Sequence, residues 1–168
     1  VPIRVDQNFR MRLDALTQAI QTAESVGNHV LSVVAVVGST EEGSVDPVDQ
    51  IVELRTDREK RCESSFWLHA DGAYGGYLRT VTIPTRTGLG PPHAQIKIAG
   101  TLRQIPLQLP EHGECAALEQ LSQCDSVTID PHKLGYIPYP AGAICFKSNI
   151  IKPLMRQTAA YIGDAEIG

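Results

Sequence analysis

Several things are missing from this sequence, and each absence narrows what it can do. The four cysteines, Cys62, Cys115, Cys124 and Cys145, contain no C-x-x-C pair. A zinc site or a disulfide framework is therefore not expected. Thiols scattered in or beside apolar segments suit a reducing cytosol, so a cytoplasmic location is expected. No apolar run approaches the roughly 20 residues that a membrane span needs. The start lacks a charged-apolar-small signal pattern, and nothing argues for secretion. The net charge is only −4, which leaves no basic footprint for nucleic acid or an anionic membrane. Internal repeats and low-complexity tracts are also lacking. What remains is an ordinary globular composition, with 42% hydrophobic and 20% charged residues in 168, enough for one domain with a sizeable core.

The chain alternates helix and strand patterns. Leu13, Leu16, Ile20 and Ala23 form one apolar stripe, predicting a helix over about Arg12 to Val26 that Gly27 closes. Its start is poorly capped, since Arg12 stands where a short polar acceptor would help. His29 to Val37 is continuously apolar and β-branched, the pattern of a strand buried on both faces. The polar loop Gly38 to Gly43 follows. Asp46 and Pro47 then predict a helix with a side-chain N-cap and proline at N1, with Val48, Ile51, Val52 and Leu54 inward. Ser65 to Asp71 reads as a second buried strand, broken by Gly72, Gly75 and Gly76. This rhythm predicts an α/β domain.

Residues 84 to 113 interrupt it with five prolines and four glycines. Gln95 to Ala99 and Leu102 to Leu109 have strand-like composition within that stretch. Beyond it, Glu114 to Gln123 predicts a short helix, Ser126 to Ile129 and Ala143 to Lys147 two strands, and Asn149 to Tyr161 a last helix.

Chemistry concentrates in loops after three apolar strands. In open α/β sheets, ligands bind outside the carboxyl ends of the strands. Those loops carry Ser39 and Thr40, then His69, Asp71 and Ala73, then His132 and Lys133. The alternating spacing of His69, Asp71 and Ala73 puts them on one face of an extended strand. A carboxylate beside a small methyl suits a flat heteroaromatic ring with a protonated nitrogen. Lys133 follows Asp130-Pro131-His132, where proline ends regular pairing. A lysine fixed there can serve as a nucleophilic amine or simply be a solvated turn residue. His69 reads equally as a contact or as a supporting histidine, Ser39 as a loop cap, Glu41 and Glu42 as solvated charges, and Tyr139 as packing of the proline-rich turn.

Asp130-Pro131-His132-Lys133 with Pro138-Tyr139 and Gly142 resembles the cofactor-lysine motif of the group II pyridoxal-phosphate-dependent amino-acid decarboxylases. His69-Ala70-Asp71-Gly72-Ala73 resembles that family's His-x-Asp-x-Ala segment, and Val36 to Asp46 resembles the loop before it. The order and approximate spacing match as well. Val34 to Val37 with Thr40 to Gly43, and Leu134 to Tyr139, most resemble bacterial-type tyrosine decarboxylases. Three co-ordered motifs are far more specific than one.

The resemblance implies pyridoxal 5′-phosphate as cofactor and part of a fold-type-I large domain, α/β with a mostly parallel sheet and flanking helices. It implies that Lys133 holds the cofactor aldehyde and that Asp71 pairs with the ring nitrogen. Ala73 would pack on the ring, Thr40 and His69 lie near it, His132 lie beside the lysine toward the phosphate, and Tyr139 help position or protonate the reacting carbon. The implied activity is decarboxylation of an amino acid, first among them tyrosine, by a homodimer. Alternatives are a non-catalytic remnant or partner subunit of this fold, and a related lyase or decarboxylase for another substrate such as glutamate. Residues 1–168 would be one part of the large domain, with 84–113 an insertion, and with the upstream segment and the small C-terminal domain outside the chain.

Overall fold

A computed structural model of the chain describes residues 1–82, 93–106, 112–151 and 153. Helix α1 (Leu13–Ser25) leads to strand β1 (Ser32–Val36), helix α2 (Val48–Lys60) and strand β2 (Trp67–Gly72). Strands β3 (His93–Ile98) and β4 (Thr101–Pro106) follow, then helix α3 (His112–Glu119), strand β5 (Ser126–Ile129) and strand β6 (Ala143–Phe146). The main sheet has the order β1-β2-β5-β6. Its first three strands are parallel, and β6 is antiparallel to β5. No helix among the described residues is long and apolar enough to cross a membrane.

Apart from the last helix, the predicted elements are present among the described residues, with most ends within three residues. Helix α3 stops at Glu119 and passes into a 3-10 turn over Gln120–Gln123, and 107–109 of the strand-like piece Leu102 to Leu109 lie outside the described residues. Helix α1 starts without a side-chain cap, as Arg12 led us to expect. It closes at Gly27, whose φ of 79° only glycine adopts cheaply. The predicted helix over Asn149 to Tyr161 shows only the 3-10 turn Asn149–Ile151; the rest lies outside the described residues. Part of the proline-rich stretch is an antiparallel hairpin, β3 on β4. Ala99 and Gly100, with φ of 48° and 84°, form its two-residue turn, the backbone that matches strand twist. Helix α3 begins inside the stretch, at His112.

Two expectations need correcting. Strands β1 and β2 are buried on one face only. Val33, Ala35, Leu68 and Ala70 join Leu16, Ile20, Val48, Ile51, Ala117 and Leu118 in one core cluster. The opposite face carries Val34, Trp67, His69, Asp71, Thr128 and Ile144, and Val34 and Ile144 are each 49% exposed. Among the described residues the helices cover one side of this sheet, so a continuous apolar run does not report two covered faces.

The second correction concerns Asp46. Pro47 takes the N-cap position of α2, and no side chain caps it. Asp46 instead accepts from the backbone N–H of Met11 (2.6 Å) and of Val36 (2.7 Å). Strand β1 is an edge, and an edge strand leaves N–H groups unpaired. The carboxylate satisfies one of them and ties the N-terminal segment to the sheet. Asp46 is 5% exposed, and burial pushes its carboxyl above the usual range, against the pull of the two N–H donors.

Buried cations lock α2 in place. Arg55 donates to Asp125 Oδ2 (2.6 Å) and Gln123 O (2.8 Å), and the same carboxylate oxygen accepts from Leu68 N–H (2.8 Å). Arg58 pairs with Glu24 of α1 and with Glu63 (3.0 Å). These contacts join α1, α2 and the starts of β2 and β5.

Candidate functional site

Parallel pairing brings the carboxyl ends of β1, β2 and β5 to one edge. Asp71 stands in register between Val36 and Thr128. Its Oδ1 accepts from Ala73 N–H (3.2 Å), which turns the chain just past the strand. Among the described residues, Oδ2 of Asp71 makes no hydrogen bond.

Close backbone approach fixes the first two loops against each other. Val37 N–H donates to Asp71 O (2.8 Å), and Gly75 N–H to Val37 O (2.9 Å). A Cβ on Gly75 would lie 2.4 Å from Val37 O, and one on Gly38 2.7 Å from Gly75 Cα. Both positions therefore require glycine. The rest of the first loop is closed by Ser39, whose hydroxyl donates to Glu42 (3.0 Å) and accepts from Ser44 N–H (3.2 Å) and the Ser44 hydroxyl (3.0 Å). Ser39 is thus a loop cap. Thr40 is exposed and, among the described residues, makes no side-chain hydrogen bond.

The lysine turn docks on the second loop. Asp130 N–H donates to Ala73 O (3.2 Å), and Lys133 N–H to Asp130 O (3.0 Å). Lys133 Nζ forms an ion pair with Asp130 Oδ2 at 2.9 Å. A Cβ on Gly135 would fall 2.5 Å from Pro131 O and 2.8 Å from the Tyr77 ring, so glycine lets the turn close on the segment after β2. His132 Nδ1 contacts both the carbonyl oxygen and the N–H (3.3 Å) of Ala141, which fixes the ring on the turn. Its ring meets Tyr139 edge-on, with centroids 4.2 Å apart, and Tyr139 itself is 79% exposed.

His69 is engaged at both nitrogens. Nδ1 lies 2.8 Å from Ser126 Oγ, and Nε2 3.1 Å from Thr128 Oγ1. Trp67 Nε1–H also donates to Ser126 Oγ (2.9 Å). A polar row thus crosses the open sheet face, and neither imidazole nitrogen is left for a ligand. The structure therefore brings Asp71, Ala73, His132 and Lys133 to one edge, leaves Thr40 and Tyr139 exposed, and engages both His69 nitrogens with Ser126 and Thr128. Sequence reasoning missed Asp130 and Tyr77. The spacing of Asp130 and Lys133 within one turn was the available signal for the first; nothing local pointed to the second.

An open groove of about 820 Å³ lies elsewhere, lined among others by Leu31, Arg55, Phe66, Trp67, Asp125 and Lys147. It sits at the amino ends of the parallel strands, away from this edge.

An acid, a small methyl and a lysine stand at the carboxyl edge of a parallel sheet, the edge where open α/β domains bind ligands. Residues 2–89 match the pyridoxal-dependent decarboxylase conserved domain, and the chain belongs to that family. It is 35% identical over 165 residues to an L-tyrosine decarboxylase of Levilactobacillus brevis, covering 96% of this chain and 26% of that protein. It is 36% identical over 174 residues to one of Enterococcus faecium, covering 99% and 27%. The chain thus spans about a quarter of the length of these curated relatives. Among solved structures, the glutamate decarboxylase domain of a Vibrio parahaemolyticus diaminobutyrate enzyme shares its fold, with a TM-score of 0.62 at 20% identity over 91% of this chain and 25% of that one.

The donor set fits part of the family's cofactor. Asp71 has a carboxylate oxygen without a hydrogen bond among the described residues, Ala73 a methyl-sized side chain and Lys133 a primary amine, groups that would suit a ring nitrogen, a ring face and an aldehyde.

Proposed function

We propose that this chain is the cofactor-holding part of the large domain of a pyridoxal-phosphate-dependent carboxy-lyase, acting on an aromatic amino acid, tyrosine first. The observation that carries it is the docking of the Lys133 turn onto the Asp71–Ala73 loop through Asp130 N–H and Ala73 O. The two relatives named L-tyrosine decarboxylase support the choice of substrate. A cytoplasmic homodimer acting on a free amino acid completes the reading, which rests there on the scattered thiols and the family resemblance.

Each residue has a separate task. Lys133 supplies the amine that holds the cofactor covalently. Asp71 keeps a proton on the ring nitrogen, and Ala73 leaves space for the ring. His132, held to Ala141 through Nδ1, is the lysine's neighbour in the chain, on the phosphate side in this reading. Tyr139, stacked edge-on to His132, stands ready to position or protonate the substrate. Thr40 lies on the adjoining loop and His69 braces the strand below Asp71. The cofactor, when bound, supplies an electron sink for the pair released with carbon dioxide.

The test is borohydride reduction after incubation with pyridoxal 5′-phosphate, followed by peptide mapping. The adduct is expected on Lys133. Carbon dioxide release from carboxyl-labelled tyrosine, with Lys133→Ala as control, tests the activity. An adduct on another lysine overturns the assignment of the anchor, and release no greater than the control supports the remnant reading.

A further inference from the structure

Lys133 does not stand free on its turn. Its Nζ is 2.9 Å from Asp130 Oδ2, with side-chain exposures of 35% and 19% for the lysine and the aspartate. Asp130 is itself fixed. Its N–H reaches back to Ala73 O (3.2 Å), on the loop that carries Asp71, and its C=O accepts from Lys133 N–H (3.0 Å). Its other carboxylate oxygen faces Gly142, where a Cβ would stand 3.2 Å away. Glycine there leaves the carboxylate room, and a side chain would crowd it. A solvated turn aspartate would need none of this.

We propose that Asp130 is a positioning residue for Lys133. Its carboxylate pairs with Nζ and keeps the nitrogen docked against the Asp71 loop while no aldehyde is bound. The proposal rests on the reading of Lys133 as the covalent anchor. Asp130 touches neither ring nor substrate in this scheme; it acts through the lysine. The pair is only partly sheltered, so its effect is modest, and the amine remains available for capture.

The readout is acetylation of the full chain, without cofactor, by limiting acetic anhydride. Peptide mass spectrometry gives the labelling of Lys133 relative to Lys60, whose side chain is 70% exposed. Acetylation requires an Nζ free to meet the reagent, and a nitrogen held 2.9 Å from Asp130 Oδ2 is less available than an unpaired one. Asp130→Asn is expected to raise the Lys133:Lys60 ratio about twofold to fivefold, the range for a partly exposed ion pair. Asp130→Glu should restore most of the protection, because it returns the charge. Gly142→Ala keeps both charges but crowds Oδ1, and should raise the ratio as well; it decides the matter if Asp130→Asn does not fold. An unchanged ratio in Asp130→Asn, or no restoration in Asp130→Glu, overturns the proposal. Borohydride mapping of the cofactor adduct runs alongside. An adduct on Lys133 with a flat ratio sinks the role of Asp130 alone, whereas an adduct elsewhere sinks the anchor reading and this proposal together.

Discussion

Replacing Gly75 by alanine tests whether backbone contact between two loops holds the site edge together. The added Cβ would lie 2.4 Å from Val37 O, 2.9 Å from Val37 C and 3.0 Å from Gly38 Cα. Ordinary contact begins near 3.4 Å, so the backbones must part by about 1.0 Å (3.4 minus 2.4). No flexible side chain is present to absorb this. Parting stretches the bond from Gly75 N–H to Val37 O (2.9 Å) and loads its neighbour from Val37 N–H to Asp71 O (2.8 Å). Overpacking of this kind costs about 1–3 kcal/mol. A lost hydrogen bond adds about 0.5–1.5 kcal/mol, for a total near 2–4 kcal/mol. Urea unfolding followed by the fluorescence of Trp67 measures it, provided the denaturant slope is unchanged. Gly43→Ala is the control. Gly43 has a φ of 69° and nothing within 4 Å of its hypothetical Cβ, so only backbone strain of about 1–2 kcal/mol applies. If Gly75→Ala costs no more than Gly43→Ala, loop-to-loop contact is not what fixes this edge.

Three further outcomes follow from buried groups. Asp46→Ala leaves the N–H groups of Met11 and Val36 without their acceptor and should cost about 1–3 kcal/mol by urea unfolding. Its pH dependence has a definite sign: the folded carboxyl titrates above its unfolded value of 3.8, so its contribution is full in acid and falls as pH rises through the raised folded value. The wild-type advantage over Asp46→Ala should therefore shrink from acid toward neutral pH; an advantage that grows would reverse the argument. Arg55→Met strips Asp125 of its buried partner, leaving only the Leu68 N–H on that oxygen, and should cost about 2–4 kcal/mol in the same assay. Burial pushes the Cys124 thiol up to about 11, so iodoacetamide at mild alkaline pH should modify exposed Cys62 and Cys145 and spare Cys124 until the chain unfolds.

Local sequence carried the element order because each signal was local. The valine-rich run before Gly38 and the leucine stripe of α1 report their own period and ends, whatever lies around them. The three loops could be grouped for a similar reason: a helix between two strands makes parallel pairing the default, and parallel pairing aligns the carboxyl ends. Side-chain partners were less legible. Asp46 carries the local signature of an N-cap, yet an edge strand's N–H competed for it and won. Arg55 and Arg58 lie in a charged helix end with no apolar signal, yet they are buried against acids from distant segments. His69 looked as able to meet a ligand as to brace the sheet until Ser126 and Thr128 took both of its nitrogens.

By itself, then, the sequence determined the alternation of helices and strands and the presence of a lysine, an acid and a small residue just past strand ends. These follow from chain-neighbour physics: periodicity, proline and glycine. Only the tertiary structure decided which sheet face the helices cover, that Gly38 and Gly75 lock two loops together, and that Asp130 holds the lysine. Those depend on distances between segments far apart in the chain, which no local pattern encodes.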